Sequence, residues 1–345
     1  MSALRSSAVI AATVLLTSCS AAPAASDGAA ASSANGTPAA ASLTDGLKMD
    51  STVGAVTTPA SASMGKVPVL MVHLVTDTDA VYTITRARLR HTLEVLYKHN
   101  YRPITVAQLI DKRIDVPAGM RPVVFTFDDA SASQFRYVEK DGKLEIDPES
   151  AVGIWLAFSQ KHPDWKPRAT FCLLSGAEAG RSFFGNKNIE GQKTEWRFRK
   201  LQFLRDNGFE LCNHTLWHAN LAKYPDAFVQ EQIARGQLAI DSAVPGYKVR
   251  TFALPLGVWP KNRALARRGE WKDPKTGVVT KYDYDAILEV AGGPSVSPFD
   301  STFDARRIKR FNLYFDAVDS LIARLERNGN GYVAGGTAPA VAAKQ

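Results

Sequence analysis

Two short motifs concentrate the reactive side chains of this sequence: Thr126-Phe-Asp-Asp129 and, further along, His214-Thr-Leu-Trp-His218. Two adjacent carboxylates directly after the apolar run Pro122 to Phe127 are costly to bury unless something compensates their charge. A metal ion is the natural compensation. The His-x3-His spacing brings two imidazoles to one side of a turn, a common zinc arrangement. One carboxylate and two imidazoles leave coordination positions open for water and substrate, the catalytic kind of site. The second carboxylate is then free to serve as a general base. Asp128 and Asp129 alone read as a helix N-cap pair, and either histidine alone as a core or surface residue. Their joint occurrence, each after a strand-like run, points instead to metal-assisted hydrolysis.

Such a site needs a scaffold that gathers positions 128–129 and 214–218. Strand-like apolar runs at 67–72, 122–127, 169–174, 209–212, 249–254 and 285–290 alternate with helical patterns over 85–100, 105–111, 150–160, 194–207, 225–243 and 316–327. That alternation predicts an α/β fold of parallel βαβ units, a barrel or a doubly wound sheet. The polar clusters at 73, 128–129, 214–218 and 255–257 all follow strand ends, where parallel α/β folds place their sites.

The 345 residues are 45% hydrophobic and 22% charged, which excludes a wholly disordered or collagen-like chain. The net charge of +8 is mild and not gathered into a block, so no nucleic-acid partner is expected. The chain opens with Arg5, the apolar run Ala8 to Leu16 and then Thr17-Ser18-Cys19, the pattern of a secretory signal. Leu16-Thr-Ser-Cys19 resembles the bacterial lipobox. The resemblance implies removal of 1–18 and lipidation of Cys19; plain cleavage near Ala22 to Ala25 is the other reading. Ser20 in place of Asp favours a lipid anchor in the outer membrane, facing the periplasm of a bacterial cell envelope. Residues 19–66, rich in Ala and Ser, read as a flexible tether, 67–328 as the folded domain and 329–345 as a flexible tail. Cys172 and Cys212 sit in strand-like runs. An oxidising compartment permits a disulfide, but two buried thiols are the favoured reading.

Taken together, Val67-Pro-Val-Leu-Met-Val-His73, Thr126-Phe-Asp-Asp129, Asn213-His-Thr-Leu-Trp-His218 and Phe252-Ala-Leu-Pro-Leu-Gly257 resemble the polysaccharide deacetylases, the NodB-homology group or carbohydrate esterase family 4. The motif layout is most like that of enzymes acting on exopolysaccharide poly-N-acetylglucosamine. The resemblance implies a distorted (β/α)7 barrel and metal-dependent removal of acetyl groups from sugars. Carried over by position, Asp129, His214 and His218 match the metal ligands and Asp128 the base. The backbone N–H of Leu256 matches an oxyanion donor. Most members carry a late Leu-x-His motif. No histidine follows His218 here, and His73 instead matches the early histidine that serves as general acid in the exopolysaccharide group. Trp217 and Trp259 lie beside motifs and are candidates to stack on a sugar ring.

The chain departs from the family pattern at Val72 for Tyr, Ala130 for Gly, Ala253 for an Arg that orients the base, and Leu256 for Tyr. The long stretch 131–168 reads as an insertion capping the groove. Arg306-Arg307-Ile-Lys-Arg310 reads as a solvated basic face, with anionic glycan or membrane as its alternative partner. The expectation is an N-deacetylase of an N-acetylglucosamine polymer. It would use a divalent metal, zinc before cobalt, nickel or iron. O-deacetylation of another glycan, or a degenerate glycan-binding lipoprotein without turnover, are the alternatives.

Overall fold

Eight strands, Val69–Val72 (β1), Tyr101–Ile104 (β2), Arg121–Phe127 (β3), Thr170–Leu173 (β4), Glu210–Asn213 (β5), Thr251–Ala253 (β6), Ala286–Leu288 (β7) and Phe311–Asn312 (β8), form one sheet. They belong to a computed structural model that describes residues 64–176, 182–186, 189–315 and 317–335. The signal segment, Cys19 and the tether up to 63 lie outside the described residues, as does 336–345. All strand pairs in the sheet are parallel, in the order β7-β6-β5-β4-β3-β1-β8, with β2 beside the first half of β3. Ile308 bridges to Leu288 at the end of β7, and Phe311 pairs with Leu70 of β1. The segment 308–312 therefore links the two edges, giving the distorted (β/α) barrel that the motifs implied.

Alternation along each strand builds two cores. Val123, Phe125 and Phe127 face outward, where Trp155 and Trp165 pack with them. Val124 faces inward with Cys172, Cys212, Ala253 and Leu288. The helices Arg86–Lys98 (α1), Val106–Ile110 (α2), Ala151–Lys161 (α3), Arg197–Asp206 (α4), Asp226–Ala243 (α5) and Ala317–Arg327 (α6) carry the outer layer. Thr85, Thr105 and Ser150 cap the first three through their hydroxyls, each satisfying an N–H that the helix leaves free.

Several features differ from expectation. Strand β2 is invisible as an apolar run because Arg102 and Pro103 interrupt it; pairing with β3 makes it a strand. Between β6 and β7 an antiparallel hairpin, Arg268–Lys272 with Val279–Asp283, stands where a helix would be. The insertion contributes a second hairpin, Tyr137–Lys140 with Lys143–Ile146, before α3. Cys172 and Cys212 are not two thiols but a disulfide: they sit in register on neighbouring strands with Cα atoms 4.2 Å apart. The tail expected from 329 is held at its start. Tyr332 N donates to Lys66 O, Ala334 N donates to Met120 O, and Tyr332 is buried. Among the described residues no helix is long and apolar enough to cross a membrane.

Candidate active site

The C-terminal strand ends converge. His73 follows β1, Asp128 and Asp129 follow β3, His214 follows β5, and Leu256 lies in the turn after β6. All five, with His218, line one cavity of about 630 Å³. Several of these turns use a backbone that only glycine adopts easily. Asp129, Ala130, Thr215, His218 and Leu256 have φ between 50° and 74°. Ala130 thus keeps the left-handed turn that a glycine would make, so its replacement does not open the site. Strain of this kind clusters where side chains must be aimed.

Asp129, His214 and His218 offer ligand atoms that all lie within 4.8 Å of one another. Asp129 Oδ1 is buried without a hydrogen-bond partner, 3.3 Å from His214 Nε2 and 3.6 Å from His218 Nε2. His214 Nδ1 donates to the carbonyl of Ala253 at 2.9 Å, which leaves Nε2 as the nitrogen facing the site. An orphaned carboxylate oxygen facing two ring nitrogens fits a divalent cation, and the donor set suits zinc.

The turn bearing the two histidines is fixed from α5. Asn213 Oδ1 accepts from Thr215 N, and its amide donates to Ile233 O and Tyr284 OH. Gln232 Oε1 accepts from Trp217 N, and Thr215 Oγ1 accepts from His218 N. A side chain at Gly236 would sit 2.4 Å from Asn213 Oδ1, so α5 can approach only there.

Asp128 is fully buried and is gripped by Arg310, which donates to its two oxygens at 2.7 and 2.8 Å. Arg310 also donates to Thr126 Oγ1 and to Glu289 O. This corrects the reading of 306–310 as a solvated basic face. Arg306, Arg307 and Lys309 are exposed, but Ile308 and Arg310 point inward with strand alternation. Position 253 is an alanine, and the guanidinium beside Asp128 comes instead from the far end of the chain. Its signal was the alternation around Ile308, which a short basic run concealed.

The electrostatics follow from this grouping. Burial raises the Asp128 carboxyl, but Arg310, His214 and His73 outweigh it and hold it well below the usual range. Burial opposed by His214 and His73 likewise leaves Asp129 low. Burial pushes His214 down, but Asp128, Asp129 and the Ala253 carbonyl raise it overall. Burial and the neighbouring His214 lower His218. His73 is lowered mainly by burial, against Asp128 and Asp129. Gln134, fully buried, donates to both His73 O and Asp128 O, at 2.5 and 2.6 Å, and so ties the two strand ends together.

The aromatic expectations fare differently. Trp217 is half-exposed and lies against Arg235, and Trp259 donates to Glu289 Oε1 with Arg263 over its ring. Neither is part of the cavity wall, whose aromatic residue is Tyr82. The insertion does reach the cavity, through Ser131, Ser133 and Arg136.

The parallel barrel gathers at its strand ends an Asp-His-His cluster whose donors suit a cation and, beside it, a buried, arginine-held carboxylate. Comparison with known proteins finds likenesses in part of the sequence and in the fold. Residues 155–269 match the family model described as polysaccharide deacetylase. Three solved structures share the fold. One is IcaB from Ammonifex degensii, with TM-score 0.52 and 16% identity, over 76% of this chain and 98% of that one. A second is Streptococcus pyogenes deacetylase PplD in complex with acetate, with TM-score 0.51 and 13% identity, over 75% and 97%. The third is a putative polysaccharide deacetylase from Bacillus anthracis, with TM-score 0.51 and 16% identity, over 75% and 68%. No curated protein matches the sequence. Residues 155–269 thus resemble the polysaccharide deacetylase family in sequence, and the chain shares the fold of these deacetylase structures.

Proposed function

We propose that this protein removes acetyl groups from a polysaccharide, and specifically the N-acetyl groups of an N-acetylglucosamine polymer. The observation that carries the reading is the Asp128–Arg310 pair beside the Asp129, His214 and His218 cluster in one cavity. A divalent cation held by those three residues, zinc first, would supply Lewis acidity to the acetyl carbonyl and to a water. Asp128, kept ionised, takes the proton of that water as its oxygen attacks the acetyl carbon. The carbonyl electron pair shifts to oxygen, on the side of the Leu256 backbone. When the carbon–nitrogen bond breaks, its electron pair goes to nitrogen. His73, in the same cavity, enters this step as its imidazolium and gives the proton that completes the amine, and the proton taken by Asp128 then restores it. Acetate and a free amino sugar result.

O-deacetylation would use the same groups, with an alcohol leaving. A glycan-binding relic is disfavoured because the base, its arginine, the acid and all three ligand side chains are present together. The Leu16 to Cys19 motif supports a further proposal, that the domain works from a lipid anchor at the outer membrane. The deciding experiment measures acetate release from N-acetylglucosamine oligomers and from O-acetylated glycans by the full chain, before and after chelation and after zinc return. Release from the N-acetylated oligomers that zinc restores, and that Asp128→Asn abolishes, is expected. Zinc-independent release, or full activity in Asp128→Asn, would sink the mechanism.

A further inference from the structure

We infer that Tyr284 is a positioning residue for the cation site: its hydroxyl is the middle link of a buried hydrogen-bond chain that runs from Asp241 on α5 to the turn carrying His214 and His218, and so aims those two imidazoles. This rests on the reading of Asp129, His214 and His218 as ligands of a divalent cation.

The links are short and continuous. Gln237 Nε2 donates to Asp241 Oδ1 at 2.7 Å, one helical turn along α5. Tyr284 OH donates to Gln237 Oε1 at 3.1 Å, and Asn213 Nδ2 donates to Tyr284 OH at 2.7 Å. Asn213 Oδ1 then accepts from Thr215 N at 2.9 Å, and Thr215 Oγ1 accepts from His218 N at 3.1 Å. Asn213, Thr215, Gln237 and Tyr284 are all buried.

The chain has one direction. A carboxylate only accepts, so Asp241 draws the amide N–H of Gln237 toward itself and leaves the amide oxygen facing Tyr284. Burial holds the Tyr284 hydroxyl well above its ordinary range, so it keeps its proton. That proton goes to Gln237, and the phenolic oxygen is left to accept from Asn213. Asn213 must then present Nδ2 to the tyrosine and Oδ1 to the turn. A flipped amide would set its oxygen against the Ile233 carbonyl, which now accepts from Nδ2 at 2.9 Å.

The turn has little local support of its own. Thr215 and His218 have φ 74° and 55°, left-handed values that neither residue type favours. A backbone of this kind persists only where its surroundings hold it. Leucine at 237 and phenylalanine at 284 would fill similar space with no polar group to satisfy. A buried polar chain with every member paired instead fixes one arrangement, and this one ends at the two-histidine turn. The hairpin Arg268–Lys272 with Val279–Asp283 delivers the tyrosine. Tyr284 directly follows it, Tyr284 N donates to Arg267 O, and Asp285 N donates to Arg250 O just before β6. The ring stacks with Phe252 at 5.4 Å and with Tyr282 at 5.6 Å, at interplanar angles of 14° and 21°.

The test is the zinc affinity of the full chain, measured by competition with a chromophoric chelator. Tyr284→Phe keeps the ring and its stacking and removes only the middle link. Its zinc Kd should rise about tenfold, the low end of what outer partners of metal ligands are worth. Tyr282→Phe is the control. It also deletes one buried hydroxyl, which donates to Leu265 O at 2.8 Å, yet its zinc Kd should stay at the wild-type value. Gln237→Leu should weaken zinc binding too, and adding it to Tyr284→Phe should weaken it no further, because both cut one chain. Wild-type zinc affinity in Tyr284→Phe, an equal loss in Tyr282→Phe, or fully additive losses in the double variant would overturn the assignment. A wild-type chain that binds no zinc removes the cation site and the positioning role with it. Zinc binding without acetate release leaves Tyr284 in its role and removes the deacetylase reading instead.

Discussion

Replacing Arg310 tests the most consequential contact in the site. Its guanidinium makes two bonds to Asp128, at 2.7 and 2.8 Å, and one each to Thr126 Oγ1 and Glu289 O. Both partners of the pair are at most 1% exposed. In Arg310→Met the side-chain volume is roughly kept, but Asp128 loses its partner where water cannot replace it. Breaking a buried ion pair in this way costs about 3–5 kcal/mol. For a domain of this size that lowers the thermal midpoint by roughly 5–9 °C. The catalytic effect is separate. A base freed from its two-point grip loses its aim, and general-base catalysis is worth about 10² to 10⁴. The expected kcat falls within that range, while KM and zinc affinity stay close to wild type. Arg310→Lys keeps the charge but not the planar fork, so it should recover most of the stability and only part of the rate. The assays are differential scanning calorimetry and acetate release with zinc in excess. A wild-type midpoint in Arg310→Met, or a loss seen in KM alone, would refute the assignment of Arg310 to the base.

Three further outcomes follow from the same structure. Reducing the Cys172–Cys212 bond, which spans 40 residues, should lower unfolding free energy by about 2–4 kcal/mol in denaturant titrations, and a Cys172→Ala/Cys212→Ala variant should no longer respond to reductant. Gln134→Leu leaves the buried carbonyls of His73 and Asp128 without a donor; it should cost about 2–4 kcal/mol by thermal melting and reduce acetate release, whereas a wild-type melt would show the clamp to be dispensable. Lys200 is buried against Phe184 O and Gln192 Oε1, and burial lowers its amine to about 7. The unfolded chain holds that proton up to about 10.4, so between these values the unfolded state binds more protons and stability rises with pH, by at most ~1.4 kcal/mol per unit. Lys200→Met should lose this rise between pH 7 and 9; an equal slope in both proteins would exclude Lys200 as its source.

Much of the site was legible in one dimension because its ligands lie in short motifs immediately after apolar strands. Asp128, Asp129, His214, His218 and His73 all come together in the cavity, since a parallel barrel carries every strand end to the same face. The helices beginning after Thr85, Thr105 and Ser150 were equally readable, because a cap is a local device. What escaped depends on partners remote in sequence. Arg310 looked like surface charge until the closing segment 308–312 brought it against Asp128. The tryptophans at 217 and 259 were suggested by sequence proximity, which does not say which way a ring faces.

By itself the sequence determined the class of fold, six of the eight sheet strands and the identity of the side chains able to hold a cation, because periodicity, capping and strand-end chemistry are local properties. Only the tertiary structure decided that Cys172 meets Cys212 and that Arg310 pairs with Asp128. Those are matters of register and barrel closure. They are set by burying two cores at once, a constraint that no single stretch of the chain carries.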